Sequence, residues 1–457
     1  MSQRPKRRVA IVGGGITGLS AAYELSRDPH LDVTVLESST RSGGKILTGE
    51  IEGSSVDLGA DWFVTRNKAA LELCSELGLA DQLVEPRRLG AYVLLKNRLR
   101  KLPQALVRGV PLFPSTAVRA RVLSPAGALR CAADLTLPGP LAGADISVGA
   151  LVRRRFGTEV LDSLVDPMMS AARAGHPDDL SLAAAAPELD AVARSNRSVL
   201  RGLRAGAGRA SPSPPFLGLR GGMESLVSAL FRHLGSVPVR TDARVATIEA
   251  GPGGYRVITP RGPLECSGVI VTTPPREAAR MLHAVSPFAS SLISRIRNSD
   301  GIVATLAYPA GAGHPPPEGS GVLIPRAERR FLTACAWYSE KWEHARPKDD
   351  SLILRCFITE EPRTREMSDE EIVQSAAADA GRLLNLAGPP RASVVTRWDE
   401  ALPIYEVGHL TRVTQIEGAL SQLPCLKLAG APYRGSGLPD CIEQGRAAAR
   451  EIAAALG

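Results

Sequence analysis

After a short basic start, the chain runs through Val9-Ala-Ile-Val12 with no polar alternation, the pattern of a strand buried on both faces. Gly13 to Gly18 break that run. Leu19 to Arg27 carry apolar residues at helical spacing, and Asp32-Val-Thr-Val-Leu36 reads as a second strand. Strand, glycine turn, helix and strand in about thirty residues predict a βαβ unit of a parallel sheet. Residues 150–230 are rich in Ala and Leu and predict helices, with a loop at Pro212-Ser-Pro-Pro215. Strand patterns return over residues 240–275, in Arg256-Val-Ile-Thr and Gly268-Val-Ile-Val-Thr-Thr, and again at 300–308 and 351–358. Leu426-Lys-Leu-Ala-Gly430 predicts a strand running into a second glycine loop, with a terminal helix from about Asp440. No internal repeat is visible.

Composition narrows the class. The 457 residues are 44% hydrophobic, enough for two or three domains. The net charge is +8, but no aromatic-basic pattern or zinc spacing accompanies it, so nucleic acid is not expected as a partner. Seven scattered cysteines with no CxxC pair argue against a disulfide framework and for a reducing, cytoplasmic setting. The basic N-terminus has no apolar stretch of signal-peptide length. No run of 18 apolar residues occurs, so the chain is expected to be soluble or peripheral to a membrane.

The glycine turn carries the first chemistry. Gly13-Gly14-Gly15-Ile16-Thr17-Gly18 fits GxGxxG: one glycine for the tight turn, one for close approach of a pyrophosphate, one for helix–strand packing. Glu37, followed by Ser38, lies 19 residues after Gly18, where an acid binds ribose hydroxyls. An acid there suits an unphosphorylated ribose, so FAD or NAD and not NADP.

Two further blocks decide between them. Arg41-Ser-Gly-Gly44-Lys45 follows the second strand, and Asp57-Leu-Gly59-Ala60-Asp61-Trp62 follows shortly after. Leu428-Ala-Gly430-Ala431-Pro-Tyr-Arg-Gly435-Ser436-Gly437-Leu438-Pro-Asp440-Cys-Ile-Glu-Gln-Gly445 closes the chain. These blocks resemble the flavin amine-oxidase superfamily. The resemblance implies FAD, with the last glycine turn and helix N-terminus at the flavin ring, where the positive helix end stabilises charge on reduced flavin. It also implies that Val245 contacts adenine through its backbone and that Trp398 stands beside the flavin.

Within that superfamily the chain resembles the porphyrinogen oxidases over nearly its whole length. Arg397-Trp398-Asp-Glu-Ala-Leu-Pro403-Ile-Tyr405-Glu-Val-Gly408-His409, Asn196-Arg-Ser-Val-Leu-Arg-Gly-Leu and Leu219-Arg-Gly-Gly-Met-Glu-Ser-Leu carry the likeness. Ala91-Tyr-Val-Leu-Leu, Gly437-Leu-Pro-Asp-Cys and Leu332-Thr-Ala-Cys-Ala-Trp are similar to the Gram-positive type, which oxidises coproporphyrinogen III, more than to the protoporphyrinogen IX type. The chain departs from the family at Ala171-Ala-Arg-Ala-Gly-His176 and at Trp62, both near the expected substrate cavity.

The resemblance implies an α/β (α+β overall) fold with three parts. They are a discontinuous Rossmann-like FAD domain (1–80, 225–285 and 405–457), a mixed-sheet substrate domain (81–100 and 286–404) and a helical domain (101–224). The substrate would be an anionic tetrapyrrole, oxidised with dioxygen as acceptor and no catalytic metal. Residues 86–130 hold ten Lys/Arg and no acid, and 191–220 hold six Arg and no acid. Such basic stretches suit propionates, and equally a solvated basic face or a peripheral membrane contact; the helical domain could touch a membrane or a ferrochelatase. Arg88, Arg173 and Arg197 are the candidate propionate contacts; no side chain stands out as a catalytic acid or base. An amine oxidase is the rival enzyme, but it would carry a lysine on the strand near 295–308, which is absent. A non-catalytic FAD-binding protein is the other alternative.

Overall fold

The fold is described from a computed structural model. It covers residues 6–137, 139–173, 175–207, 214–313, 316–359 and 362–457. Five parallel strands make the first sheet, in the order Val239–Arg240, Leu31–Leu36, Arg7–Val12, Gly268–Val271, Leu426–Leu428. Alternate residues of the central strand enter different cores. Val9 and Ile11 pack with the opening helix Ile16–Leu25 and the terminal helix Leu438–Leu456, while Ala10 and Val12 pack with the helices Pro275–Leu282 and His409–Leu420. Double-sided burial, worth about 1.5–3 kcal/mol for each Val or Ile, is why the sequence there shows no alternation. The opening helix begins at Ile16 rather than Leu19, because Gly15 is already its extended N-cap. The terminal helix begins at Leu438.

The second sheet is mixed and has seven strands. Their order is Ala392–Pro403, Asn298–Tyr308, Leu352–Thr359, Ala334–Trp337, Gly321–Leu323, Tyr92–Leu95, Arg98–Lys101. Only Gly321–Leu323 and Tyr92–Leu95 run parallel; the other pairs are antiparallel. One face is covered by the helix Asp369–Leu384, whose Ser368/Glu371 capping box fixes its start. The opposite face presents Ala307 and Ile353 to Val56, Tyr338 and Trp342, and so meets the dinucleotide-binding unit. The long pair Asn298–Tyr308 and Ala392–Pro403 changes register between Ser299 and Gly301, opposite Glu400, which has φ 48°. A bulge of this kind re-aims backbone groups.

The third part is a layer of short helices between Pro114 and Ala207, with a π-turn at Leu161–Val165. Its core joins Leu151, Phe156 and Leu200 to Val93 of the mixed sheet and Ile404. The helical expectation for 150–230 fails at Phe216–Leu219, which is a strand between Phe63–Val64 and Leu83–Val84. Its partners are distant in sequence, so local composition could not reveal the pairing. The expected loop at 212–215 lies partly outside the described residues. Among the described residues no helix is long and apolar enough to cross a membrane.

Candidate cofactor site

Four parallel strands deliver their C-terminal ends to one cleft. Gly13 follows the first strand and Glu37 the second; Thr272 and Gly430 follow the other two. Ligands bind α/β sheets at this edge. Gly13 has φ 111°, and a methyl there would stand 2.6 Å from Oγ1 of Thr272. At Gly18 a methyl would overlap the carbonyl oxygen of Gly13. Gly15 faces open space, with only the Cα of Gly44 at 3.9 Å from a would-be Cβ. No side chain caps the opening helix, so the amides of its first turn are left for an anion. Oγ of Ser42, beside Gly14, is buried without a partner. A glycine cradle, uncapped amides and an orphan hydroxyl fit a dinucleotide pyrophosphate.

Glu37 stands at the next strand end. Its Oε2 accepts from the amide of Gly14 at 2.7 Å and its Oε1 from the amide of Ser39 at 2.8 Å. Ser38 lends only a long 3.3 Å hydroxyl contact. The Glu37 carbonyl also accepts from Ala243 at 2.8 Å, which brings the Val245 segment beside it. Val245 is buried, and its own carbonyl is taken by Arg280 at 2.7 Å.

The loop Arg41–Lys45 is held by its own arginine. The Arg41 guanidinium donates to the carbonyls of Ser42, Gly44 and Ile46. Gly43 donates back to Gly14 at 2.8 Å. Lys45 then turns toward the strip Gly59–Trp62. A methyl at Gly59 would overlap the Lys45 carbonyl and stand 3.1 Å from Cζ2 of Trp398, whose Nε1 donates to Leu58 at 3.2 Å. Ala60 donates to the Lys45 carbonyl at 3.3 Å.

Behind that strip lies a buried ionic cluster that no sequence motif announced. Asp61 receives Nζ of Lys341 at 2.6 Å and Nε1 of Trp342 at 3.2 Å, and Nη1 of Arg355 stands 3.2 Å away. Arg355 is fully buried and donates to the Gly59 carbonyl at 2.6 Å. Burial disfavours the Asp61 charge, but Lys341 and Arg355 outweigh it and hold the carboxyl below the usual range. Burial dominates at Asp57, whose carboxyl is pushed up. Trp62 alternates outward, 40% exposed, with its ring 5.0 Å from that of Phe216. Only the partners, which lie some 280 residues away, reveal the ionic cluster in which Asp61 stands.

The C-terminal loop closes the cleft. The Gly430 amide donates to Oε1 of Gln444 at 3.3 Å, and Nε2 of Gln444 donates to the Gly435 carbonyl at 3.1 Å. The Tyr405 hydroxyl donates to Ala431 and accepts from Gly435 at 3.1 Å. His409 stacks on Tyr405 at 4.2 Å, and its Nε2 donates to the Tyr433 carbonyl at 2.9 Å, which fixes the tautomer. Tyr405 and His409 therefore hold the loop from beneath. Gly437 caps the terminal helix, with Oδ2 of Asp440 accepting its amide at 3.2 Å; Ser436 and Leu438 border the opening, half-buried. Cys441 is buried and hydrogen-bonded to the Thr17 side chain, and burial pushes its thiol up to about 11. That is a packed cysteine rather than a reactive one.

The candidate propionate contacts separate. Arg88 is paired with Glu340 at 2.9 Å. Arg197 stands exposed in the helical layer, its carbonyl taken by Arg155 at 3.2 Å. Arg173 ends the helix Asp166–Arg173, and its side chain lies outside the described residues.

A glycine cradle at the switch edge of a parallel sheet, closed by a C-terminal loop, defines a flavin-dependent oxidoreductase with FAD as cofactor. The chain belongs to the flavin-containing amine oxidoreductase family, whose sequence profile matches residues 16–453. It is 33% identical to a coproporphyrinogen III oxidase of Bacillus subtilis, over 97% of each chain. It is 30% identical to that of Staphylococcus aureus, over 98% of this chain and 100% of the other. The protoporphyrinogen oxidase of Bos taurus is also 30% identical, over 98% of both. A solved chain from Exiguobacterium sp., named for protoporphyrinogen oxidase, superposes with a TM-score of 0.87 over 98% of this chain and 99% of its own, at 28% identity.

Proposed function

We propose that this chain oxidises coproporphyrinogen III to coproporphyrin III in porphyrin (haem) biosynthesis. The reaction would be three two-electron dehydrogenations, with dioxygen as final acceptor and hydrogen peroxide as by-product. The observation that carries this reading is near-full-length likeness to relatives named for that activity. Bound FAD would supply the hydride acceptor for each dehydrogenation.

The chain's own residues would position and insulate. The uncapped opening helix and Ser42 hold the pyrophosphate, and Glu37 holds a ribose. The strip Gly59–Trp62, fixed from behind by Arg355 and Lys341, shapes the ring side of the cleft. The N-terminus of the terminal helix favours negative charge at the ring. The protoporphyrinogen reading is second, supported by the Bos taurus relative.

The division into a discontinuous FAD domain, a substrate domain and a helical domain belongs to this proposal. So do Arg88, Arg173 and Arg197 as propionate contacts, although a propionate at Arg88 would displace Glu340. We also propose a cytoplasmic enzyme whose helical domain, 101–224, meets a membrane surface or a ferrochelatase transiently.

The test is anaerobic preparation of both porphyrinogens, then product fluorescence after mixing with air and FAD-loaded protein. Faster conversion of coproporphyrinogen III supports the proposal. Preference for protoporphyrinogen IX replaces it with the second reading, and oxidation of neither overturns both.

A further inference from the structure

The mixed sheet of this chain has no lysine over 295–308, yet an ammonium group arrives there from elsewhere. Lys45 leaves the loop after the second strand and extends to the bulge, where its Nζ donates to the Glu400 carbonyl at 2.9 Å. The same carbonyl accepts Nδ2 of Asn298 at 3.1 Å. The bulge is fixed by Asp300, whose Oδ1 accepts the Glu400 amide at 2.6 Å. Among the described residues no carboxylate lies within ion-pair distance of Lys45. The Glu400 and Cys441 side chains are the titratable groups whose charge acts on it.

The loop gives that ammonium a direction. Gly43 and Gly44 meet Gly14 and Gly15 at the pyrophosphate end of the cradle. One residue later, the Lys45 carbonyl meets Gly59, and the side chain runs between the bulge and the start of the terminal helix. The lysine is therefore aimed away from the pyrophosphate and toward the ring end of the cleft. It is exposed in this cleft although protein surrounds it closely, and that crowding pushes its pKa down. Oδ1 of Asn298 and Oγ of Ser299 are buried at the same bulge without partners. Unpaired polar atoms beside an unneutralised cation mark a place where a ligand completes the contacts.

We propose that Lys45 is the charge-balancing cation of the flavin ring, a positioning residue that stabilises the negative charge the ring carries after taking up two electrons and one proton. Chemical economy supports this. A cation on a side chain that already spans from the cradle to the substrate sheet couples cofactor seating to cofactor electronics, with no lysine needed on the sheet itself. The inference rests on the flavin part of the proposed function and not on the identity of the porphyrinogen.

The experiment uses FAD-loaded full-length protein and no porphyrinogen. Bound flavin is equilibrated anaerobically with a redox dye of known potential while it is reduced slowly, and the two absorbances give the reduced fraction. Lys45→Gln keeps a donor for Glu400 without the charge; Lys45→Arg keeps the charge. We expect Lys45→Gln to shift the equilibrium toward oxidised flavin by about tenfold or more, and Lys45→Arg to stay close to the parent. Sulfite, whose adduct with flavin is anionic, should bind Lys45→Gln about tenfold more weakly. Should Lys45→Gln lose FAD, the Lys45→Met variant and a sulfite titration of reconstituted protein give the same comparison. A Lys45→Gln protein that retains FAD with unaltered dye equilibrium and sulfite affinity overturns the proposal. Failure to oxidise either porphyrinogen would leave it standing.

Discussion

The Gly14 amide donates to the Glu37 carboxylate at 2.7 Å across 23 residues of sequence. The glycine turn proposed for the phosphates and the acid proposed for the ribose are thus one hydrogen-bonded unit before any cofactor arrives. A ligand that meets both finds the spacing already set, which lowers the ordering cost of binding.

Removing the charge at Glu37 should loosen FAD while leaving the fold intact. A charge-assisted hydrogen bond contributes about 1.5–3 kcal/mol, so Glu37→Gln should raise the FAD Kd by roughly ten- to a hundredfold. Flavin fluorescence titration of the apoprotein checks this. An unchanged Kd would remove Glu37 from the site.

Helix contact around the cradle can be broken with one methyl. A Cβ at Gly445 would overlap the Thr17 carbonyl, so Gly445→Ala should push the terminal helix off the opening helix and release FAD. Gly418 has open space around it inside the helix His409–Leu420, and Gly418→Ala should raise stability by up to about 1 kcal/mol. Thermal melts and retained flavin absorbance separate the two. Equal effects would contradict the packing.

The buried cluster predicts non-additivity. Asp61→Ala strands Lys341 and Arg355 in a dry interior and should cost about 3–5 kcal/mol. Adding Lys341→Met should recover part of that loss. The pH dependence has a definite sign. Because the folded Asp61 pKa is depressed, its stabilisation is present above the ordinary carboxylate range of about 4 and is lost as pH falls through the lower folded value. Urea denaturation at several pH values reads both effects, and strict additivity of the two substitutions would count against the cluster.

His409 is buried under the C-terminal loop, and burial lowers its pKa, so the folded protein holds it neutral. The unfolded chain binds the proton more readily. Stability should therefore fall as pH drops below about 6.5, with a slope from this group of at most about 1.4 kcal/mol per pH unit. His409→Phe retains the stack on Tyr405 but cannot titrate, and its melting temperature between pH 5 and 8 should fall less steeply than the parent's. Parallel profiles would assign the acid sensitivity elsewhere.

Arg173 can be tested against Arg88 in the proposed reaction. Arg173→Ala should raise KM for coproporphyrinogen III by about tenfold, the loss of one charge-assisted contact, with kcat changed less. Arg88→Ala also breaks the Glu340 pair, so it should lower melting temperature alongside any change in KM. If Arg173→Ala leaves KM unchanged, that arginine has no part in propionate binding.

Much of the geometry of the candidate cofactor site was legible in the chain. Local rules fix it: a glycine with φ 111° makes the turn at Gly13, a buried parallel strand needs an unbroken apolar run, and the acid proposed for the ribose ends the next strand. Those constraints act within some forty residues, so the sequence displays them together. The terminal block was legible for the same reason, since the loop from Gly430 and the helix from Leu438 adjoin.

What the sequence could not display was decided by distant partners. Phe216–Leu219 became a strand because Phe63–Val64 and Leu83–Val84 flank it. Asp61 became the anchor of a buried cluster because Lys341 and Arg355 reach it from the mixed sheet. Lys45 acquired its direction only when a bulge at Glu400 turned a carbonyl toward it. The sequence by itself determined which backbone can cradle a dinucleotide, because backbone conformation is a local property. Only the tertiary structure decided which charges stand behind and beside that cradle, because Coulomb interactions and desolvation depend on distance in space and not along the chain.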